Sequence, residues 1–366
     1  MREAMAAPTV GVIGLGFGRA HIPAFQANGC EVVAVCQRDE TAARRIADAH
    51  GVKGVFTHWE DMLERARPAI VVIATPPHLH LAIAEQAFAR GAHVLCEKPV
   101  ALTADEGRRM LDAARRAGRV VVTGFNWRFP AAMQALHALV AEGAIGRPFH
   151  IAARWLGARW AAESAAATWR MDRAQAGHGA LGDMGAHVVD LVRWSFGEFT
   201  RVAATMGIPY PARSAPGIGR PPDAEDWCVL LGELDNGAHV SFTASRAAHG
   251  VNEHTLEAYG SAGAVQYRLG RDAPRWWAGE LRLSRGGAFE VVPPRAPVPS
   301  IDSTEAFEQI GRGTIAPLVT QFLDAIRTGA SPAPSLTDGL RAQLVLDAAA
   351  DAAARGAWID VPHLTA

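Results

Sequence analysis

Between residue 9 and about residue 124, short apolar runs alternate with stretches of helical spacing. The runs are "TVGVIG", "EVVAV", "AIVVIAT", "AHVLCE" and "RVVVTG", all rich in β-branched residues. Between them lie Ala/Arg/Glu-rich stretches, such as 79–90 and 103–117, whose apolar residues recur at the period of a helix. Strands that are apolar throughout must be covered on both faces, and a helix between successive strands makes them parallel. The pattern predicts a doubly wound α/β sheet.

From about residue 130 the pattern changes. A helix is expected over 130–142, a strand over "PFHIAARW" and a helical segment over 181–195. Strand-like alternation follows at 200–206, 227–233, 237–245, 254–259, 263–268, 280–284 and 288–292, with turns such as "LDNGAHV" between. Closely spaced strands of this kind predict an α+β domain with a large open, mainly antiparallel sheet. An open sheet needs a cover, which a second copy of the chain often supplies, as a homodimer or homotetramer. The Pro/Gly-rich stretches 208–223 and 291–300 read as loops. Helices return at 316–328 and 336–355, separated by "TGASPAPSLTDG", with the second start expected at Thr337 or Asp338. The expected domains are 1–125, 126–335 and a C-terminal helical segment, 336–366, packing back on the first.

Bulk properties narrow the function. A length of 366 residues suits two domains, and 49% hydrophobic with 20% charged residues is a globular composition. A net charge of −1 excludes a broad nucleic-acid surface. No stretch is apolar for long enough to span a membrane, and the first apolar residues lead directly into a glycine turn rather than a cleavage site. The four cysteines, Cys30, Cys36, Cys96 and Cys228, form no C-x-x-C pair and suit buried thiols in a cytoplasmic protein. His78 and His80 have no third ligand nearby in sequence, so no metal site is expected.

The glycine turn is Gly14-Leu15-Gly16-Phe17-Gly18-Arg19, directly after a strand and opening a helix. Glycine lets backbone N–H groups approach a pyrophosphate, and a helix N-terminus favours the anion. In that context the turn predicts a Rossmann dinucleotide site, although Arg19 departs from G-x-G-x-x-G. About twenty residues on, where an acid would take the ribose hydroxyls, stand Gln37 and Arg38. An amide and a cation remove the repulsion an acid imposes on a 2′-phosphate, which favours NADP over NAD. Asp39 is placed to cap the following helix. Thr75-Pro76-Pro77-His78 follows "AIVVIAT" at the carboxyl end of a parallel strand, where ligands bind in such sheets.

Two further stretches carry chemistry. Glu97-Lys98-Pro99 sits at another strand's carboxyl end. There Lys98 can polarise an oxygen, while Glu97 holds the lysine or the nicotinamide ribose. In "GALGDMGAHVVDLVRWSFG", Asp183 and His187 stand at i, i+4, with Asp190 nearby. A satisfied Asp–His pair on a helix face is the plainer reading, and a histidine oriented by an acid is also a general base near neutral pH. Arginine and tryptophan are adjacent at 127–128, 154–155, 159–160, 169–170, 193–194 and 275–276. Most of these rings suit a core, with the arginines turned to solvent. Between 127 and 170, including Arg154-Trp155, flat rings and forked donors also suit a polyhydroxylated ring or a phosphate.

Taken together, "GVIGLGFGRAH", "TPPHLHLAIAEQAFARGAHVLCEKPVALT", "GFNWRF", "WRMD", "GALGDMGAHVVDLVRWSFG" and the tail "FLDAIRTGASPAPSLTDGLRAQLVLDAA" resemble the Gfo/Idh/MocA family (glucose–fructose oxidoreductase, inositol dehydrogenase, MocA) over nearly the whole chain. The resemblance implies a catalytic set of Lys98, Asp183 and His187. It implies cofactor contacts at Thr75, Pro76, His78, Glu97 and Lys98, alongside Gly14, Gly16, Phe17 and Gly18 of the nucleotide turn and Gln37 and Arg38 beyond it. Asn126, Arg128, Trp169 and Arg170 would lie near nicotinamide or substrate, and Arg154 and Trp155 would join Lys98, Arg128, Asp183 and His187 around the substrate. Three departures stand out: Arg19 in the turn, His178 where the family often has glycine, and Gln37 in place of the acid. The implied activity is reversible hydride transfer between NAD(P) and a secondary alcohol of a sugar, inositol or polyol. Two other functions suit the same fold: a cofactor-binding regulator without turnover, and a glycosidase using bound NAD for transient oxidation.

Overall fold

The computed structural model describes residues 7–216 and 218–364. The chain divides into two compact units.

The first unit comprises residues up to 101, 105–126 and 301–339. Its sheet contains β1 (Thr9–Ile13), β2 (Glu31–Cys36), β3 (Gly54–Phe56), β4 (Ile70–Ile73), β5 (His93–Cys96) and β6 (Val121–Thr123). The order is β3-β2-β1-β4-β5-β6 and every pairing is parallel. This is the expected doubly wound sheet, and the order reverses between β1 and β4, the switch point where such sheets bind nucleotides. β3 is only three residues long and half-buried, too short to register as an apolar run. Val71, Ile73, Val94 and Cys96 are fully or almost fully buried and pack with Ile83, Met110 and Leu336 in one core.

The second unit comprises 102–104, 127–300 and residues from 340 on. It is built on β7 (Pro148–Leu156), β8 (Phe199–Gly207), β9 (Trp227–Leu234), β10 (His239–Ser245), β11 (Glu253–Gly260), β12 (Ala264–Gly270), β13 (Glu280–Ser284), β14 (Glu290–Val291) and β15 (Ile359–Asp360). The order is β14-β13-β12-β11-β7-β10-β9-β8-β15. The pairings are antiparallel except β7 with β10, so the sheet is mixed but mainly antiparallel. Alternation is strict on β9, where Cys228, Leu230 and Gly232 are buried while Val229 and Leu231 are exposed.

The tail differs from the sequence expectation. Residues 301–335 join the first unit instead of the second, 336–339 join the first as expected, and 340–364 join the second instead of the first. Only the start of the long helix Leu336–Arg355 packs on the parallel sheet, through Leu336 and through Gly339, which lies against Val100 and Thr123. The helix also begins earlier than Thr337 or Asp338. Ser335 caps it: its hydroxyl accepts from the Asp338 N–H at 3.2 Å, and the Asp338 carboxylate accepts from the Ser335 N–H at 2.7 Å. Asp39 caps its own helix as expected, accepting from the Ala42 N–H at 3.0 Å.

Candidate active site

The nucleotide turn lies in the first unit. Gly14 has φ +90°, and a Cβ there would meet the Ala74 carbonyl at 2.5 Å, so only glycine serves. A Cβ on Gly18 would meet the Ala74 Cβ at 3.0 Å, where the helix closes on the sheet, whereas Gly16 has open space above it. Arg19 has a local explanation. Its Nε donates to the carbonyls of Leu15 at 3.1 Å and Gly16 at 3.0 Å, and its guanidinium lies 4.4 Å over the Phe307 ring. The turn is thus tied down by its own side chain and by a residue from the 301–339 segment. Phe17 packs edge-on to both His21 and Phe307.

Among the polar side-chain atoms of this unit buried without a partner are Thr75 Oγ1 and Asn126 Oδ1. Such atoms cost free energy unless something binds them. Both belong to residues expected at the cofactor, and with the open space over Gly16 they fit a dinucleotide. Asn126 is also fixed by donating its amide to Thr314 at 2.8 Å. Gln37 is half-buried and its backbone N–H joins Phe56. Arg38 is exposed, and among the described residues no carboxylate pairs with it.

His78 is exposed, and His80 has a structural role. The fully buried His80 ring reaches the Thr75 carbonyl through Nε2 at 2.9 Å, and Cys96 Sγ lies 3.4 Å from its Nδ1. Burial lowers the pKa of His80 and raises that of Cys96, so a neutral ring and a neutral thiol face each other. A neutral imidazole has one donor and one acceptor. Nε2–H donating to Thr75 and Sγ–H donating to Nδ1 satisfies both, and fixes the Thr75–Pro76 turn. All four cysteines are buried and unpaired, as expected.

Glu97 is turned inward. Its carboxylate accepts from His21 Nε2 at 2.8 Å and from the Lys98 N–H at 3.3 Å. Its contact with Lys98 thus runs through the backbone. His21, with no exposed surface, was missed in the sequence because its partner lies 76 residues away.

The second unit carries the helix of Asp183 and His187. Residues Leu181–Gly185 form a π turn that runs into the α-helix Ala186–Phe196, so the winding is wider at Asp183 than the i, i+4 reading assumes. Its start is braced by Glu225, only 2% exposed, whose Oε1 accepts from the N–H groups of Gly179 at 2.7 Å and Leu181 at 3.0 Å. A Cβ on Gly179 would collide with the Glu225 backbone, which explains that glycine. The next residue, Asp226, pairs with the fully buried Arg246 at 2.8 Å, and Arg246 donates to the Arg170 carbonyl at 3.0 Å. Arg170 Nε lies 3.6 Å from Asp183, and its guanidinium stacks 4.4 Å over Trp169.

His187 is 5% exposed and stacks on Trp155 at 5.2 Å and 22°. Trp127 meets His187 edge-on at 6.3 Å, and Trp155 and Trp127 both contact His254. His254 lies 3.1 Å from the Tyr267 hydroxyl, and burial, with the nearby Arg271 charge, pushes its pKa down to about 3. Trp155 thus adjoins His187. His254 was missed because it lies on a strand, with no local polar pattern.

Two arginines expected at the substrate are otherwise engaged. Arg128 is 3% exposed and forks onto Asp190, with Nε at 2.8 Å. Arg154 is exposed and pairs with Glu253 at 3.1 Å. Nor do the arginines of the Arg/Trp pairs all face solvent: Arg193 is also buried, against Glu198 at 2.6 Å. Buried guanidinium groups need carboxylates, and Asp190, marked in the sequence only as a neighbour of Asp183 and His187, is the one that Arg128 takes. His178, the other departure, is likewise structural, 3.1 Å from Asp347. The 208–223 loop is anchored by Arg213, which donates to the Trp160 carbonyl at 2.8 Å, and by Arg220, which pairs with Asp172 and Asp223.

Comparison with known proteins agrees with this architecture. The model of the oxidoreductase family with an NAD-binding Rossmann fold matches residues 9–125, and the GFO/IDH/MocA C-terminal domain matches 133–266. The chain is 31% identical to levoglucosan dehydrogenase of Pseudarthrobacter phenanthrenivorans, over 98% of this chain and 99% of that protein. It is 27% identical to inositol 2-dehydrogenase of Rhizobium meliloti, over 96% and 98%. A structure of levoglucosan dehydrogenase with NADH and levoglucosan superposes with a TM-score of 0.86 at 30% identity, covering 98% of this chain and 100% of that one. The chain belongs to the Gfo/Idh/MocA oxidoreductase family. Its first unit is the NAD-binding Rossmann domain of that family. No helix of the described residues is long and apolar enough to cross a membrane.

Proposed function

We propose that the protein is an NAD(P)-dependent dehydrogenase or reductase acting on a secondary alcohol or ketone of a sugar, inositol or related polyol. The observation that carries this reading is the Asp183–His187 helix, with its histidine set in an aromatic socket, in a chain that also has a nucleotide turn. When bound, the nicotinamide supplies the hydride acceptor or donor. In the oxidative direction His187 takes the hydroxyl proton. Lys98 stabilises the negative charge developing on that oxygen. Asp183 orients His187 or accepts a neighbouring hydroxyl. Gly14, Gly16, Phe17 and Gly18 cradle the pyrophosphate. Thr75, Pro76, His78, Glu97 and Asn126 line the rest of the cofactor, and Trp169 and Arg170 flank the nicotinamide. Trp155 lines the substrate. His187→Ala should cost roughly 10²–10⁴ in rate, the range for a general acid–base. A sugar and polyol panel read by nicotinamide absorbance checks this, and full activity in the variant would overturn the assignment.

Gln37 and Arg38 favour NADP over NAD. The amide does not repel a 2′-phosphate, and Arg38 can pair with it through charge-assisted bonds worth roughly 1.5–3 kcal/mol. A KM for NAD tenfold below that for NADP would refute the preference. The exposed Phe149, Val229 and Leu231 belong to the second unit's sheet and suit a homodimer or homotetramer, which light scattering would detect. The four thiols suit a cytoplasmic setting, and recovery of the native protein solely from an oxidising compartment would sink that placement.

A further inference from the structure

The second unit contains four buried arginines, and each has a carboxylate: Arg128 with Asp190, Arg193 with Glu198, and Arg213 and Arg246 with Asp226. Arg271 breaks the pattern. It directly follows β12 and is half-buried, with Cζ 4.3 Å over Trp276 and 6.0 Å over Trp127. Among the described residues, no carboxylate lies within ion-pair distance of it. Two acids of this strand end, Glu253 and Asp272, are engaged by other arginines. Glu253 is shared by Arg154 at 3.1 Å and Arg268 at 2.7 Å, and Asp272 pairs with Arg268 at 3.0 Å.

The charge is felt. Burial lowers the pKa of Arg271, and its field adds to the lowering at His254. A partly desolvated guanidinium without a counter-ion is costly, and a ligand anion repays that cost. Its place is also informative. Across the sheet Leu156 pairs with Glu253 and Glu253 with Gly270, so Arg271 sits at the same strand end as Trp155, which stacks on His187. Trp127 touches both Arg271 and His187.

We propose that Arg271 forms an anion subsite beside the catalytic histidine, and that the substrate is a sugar or polyol bearing a carboxylate or phosphate group. A guanidinium forked onto a planar or tetrahedral oxyanion, with Trp276 and Trp127 as its platform, is the recognition chemistry that arginine serves best. The subsite rests on the dehydrogenase reading for its meaning but not for its detection.

Binding of glucose, glucuronate and glucose 6-phosphate to the full-length protein, saturated with NADP or NAD, can be measured by calorimetry. One of the two anions should bind at least about tenfold tighter than glucose, the size of one charge-assisted hydrogen bond. Which one does so separates carboxylate from phosphate. Arg271→Gln should bring the ratio close to one, and Arg271→Lys, which keeps the charge, should retain part of it. Equal binding of glucose and both anions would overturn the proposal. So would a preference that survives in Arg271→Gln, or one lost equally in Arg271→Lys. Absence of turnover with every sugar and polyol would instead defeat the dehydrogenase reading and leave these ratios standing.

Discussion

Each unit of the molecule holds its candidate site residues with a buried glutamate, and the two glutamates work differently. In the Rossmann unit Glu97 sits beside Lys98 in sequence, accepts its N–H and pairs with His21. In the second unit Glu225 lies more than forty residues from Gly179 and accepts two N–H groups at the start of the Asp183–His187 helix. A glycine makes room in both cases. A Cβ on Gly124 would meet the carboxylate of Glu97 at 2.7 Å, whereas one on Gly179 would meet the backbone of Glu225. One brace is a side chain tucked behind its own turn. The other joins two distant segments through their main chains, and should be the stiffer and the more costly to remove.

The largest effect should come from Glu225→Ala. It leaves two buried donors unpaired, for roughly 2–6 kcal/mol, while Glu97→Ala mainly orphans His21 and should cost about 1–3 kcal/mol. Denaturant unfolding of both variants tests the ranking, and an equal or reversed order breaks the comparison. The glycines should follow suit. Gly179→Ala, which meets immovable backbone, should cost about 3 kcal/mol and lower kcat. Gly124→Ala, which meets a side-chain end, should cost about 1 kcal/mol. Equal thermal shifts for the two would show that Glu225 yields as easily as Glu97.

The smallest effect is a pH slope. Burial holds His254 neutral down to about 3, against about 6.5 in the unfolded chain. Below pH 6.5 unfolding therefore takes up a proton, so the stability lent by the neutral ring falls as pH drops from about 6.5 toward 3. The slope is at most about 1.4 kcal/mol per pH unit. His254→Gln, which keeps a partner for Tyr267, should flatten the stability profile between pH 6.5 and 4. His80 in the Rossmann unit is depressed in the same direction and should leave a residual slope. A profile unchanged in the variant would show that the ring is hydrated.

The same contrast explains what could be read in advance. Apolar runs, the glycine turn and the Asp39 cap depend on neighbours a few residues apart, and the sequence displays them. Lys98, Asp183 and His187 could be singled out as candidates for that reason. The π turn was not, and Glu225, which braces its start, lies more than forty residues away. Arg128 and Arg154 looked like ligand-reading residues next to tryptophans, but Asp190 and Glu253, 62 and 99 residues away, claim them. Arg271 stood in no such motif. Its distinction is that its neighbours are already paired, which only the fold reveals.

The Rossmann unit is finished by residues 301–339, whose Phe307 receives both Phe17 and the Arg19 guanidinium from the glycine turn. The nucleotide module is therefore not portable as a single stretch of gene. A chimera that exchanges only the first 126 residues would inherit a turn whose lid still belongs to the old parent. Recombination among relatives should succeed only when both stretches travel together, and cofactor preference selected at Gln37 and Arg38 should be inherited with the pair.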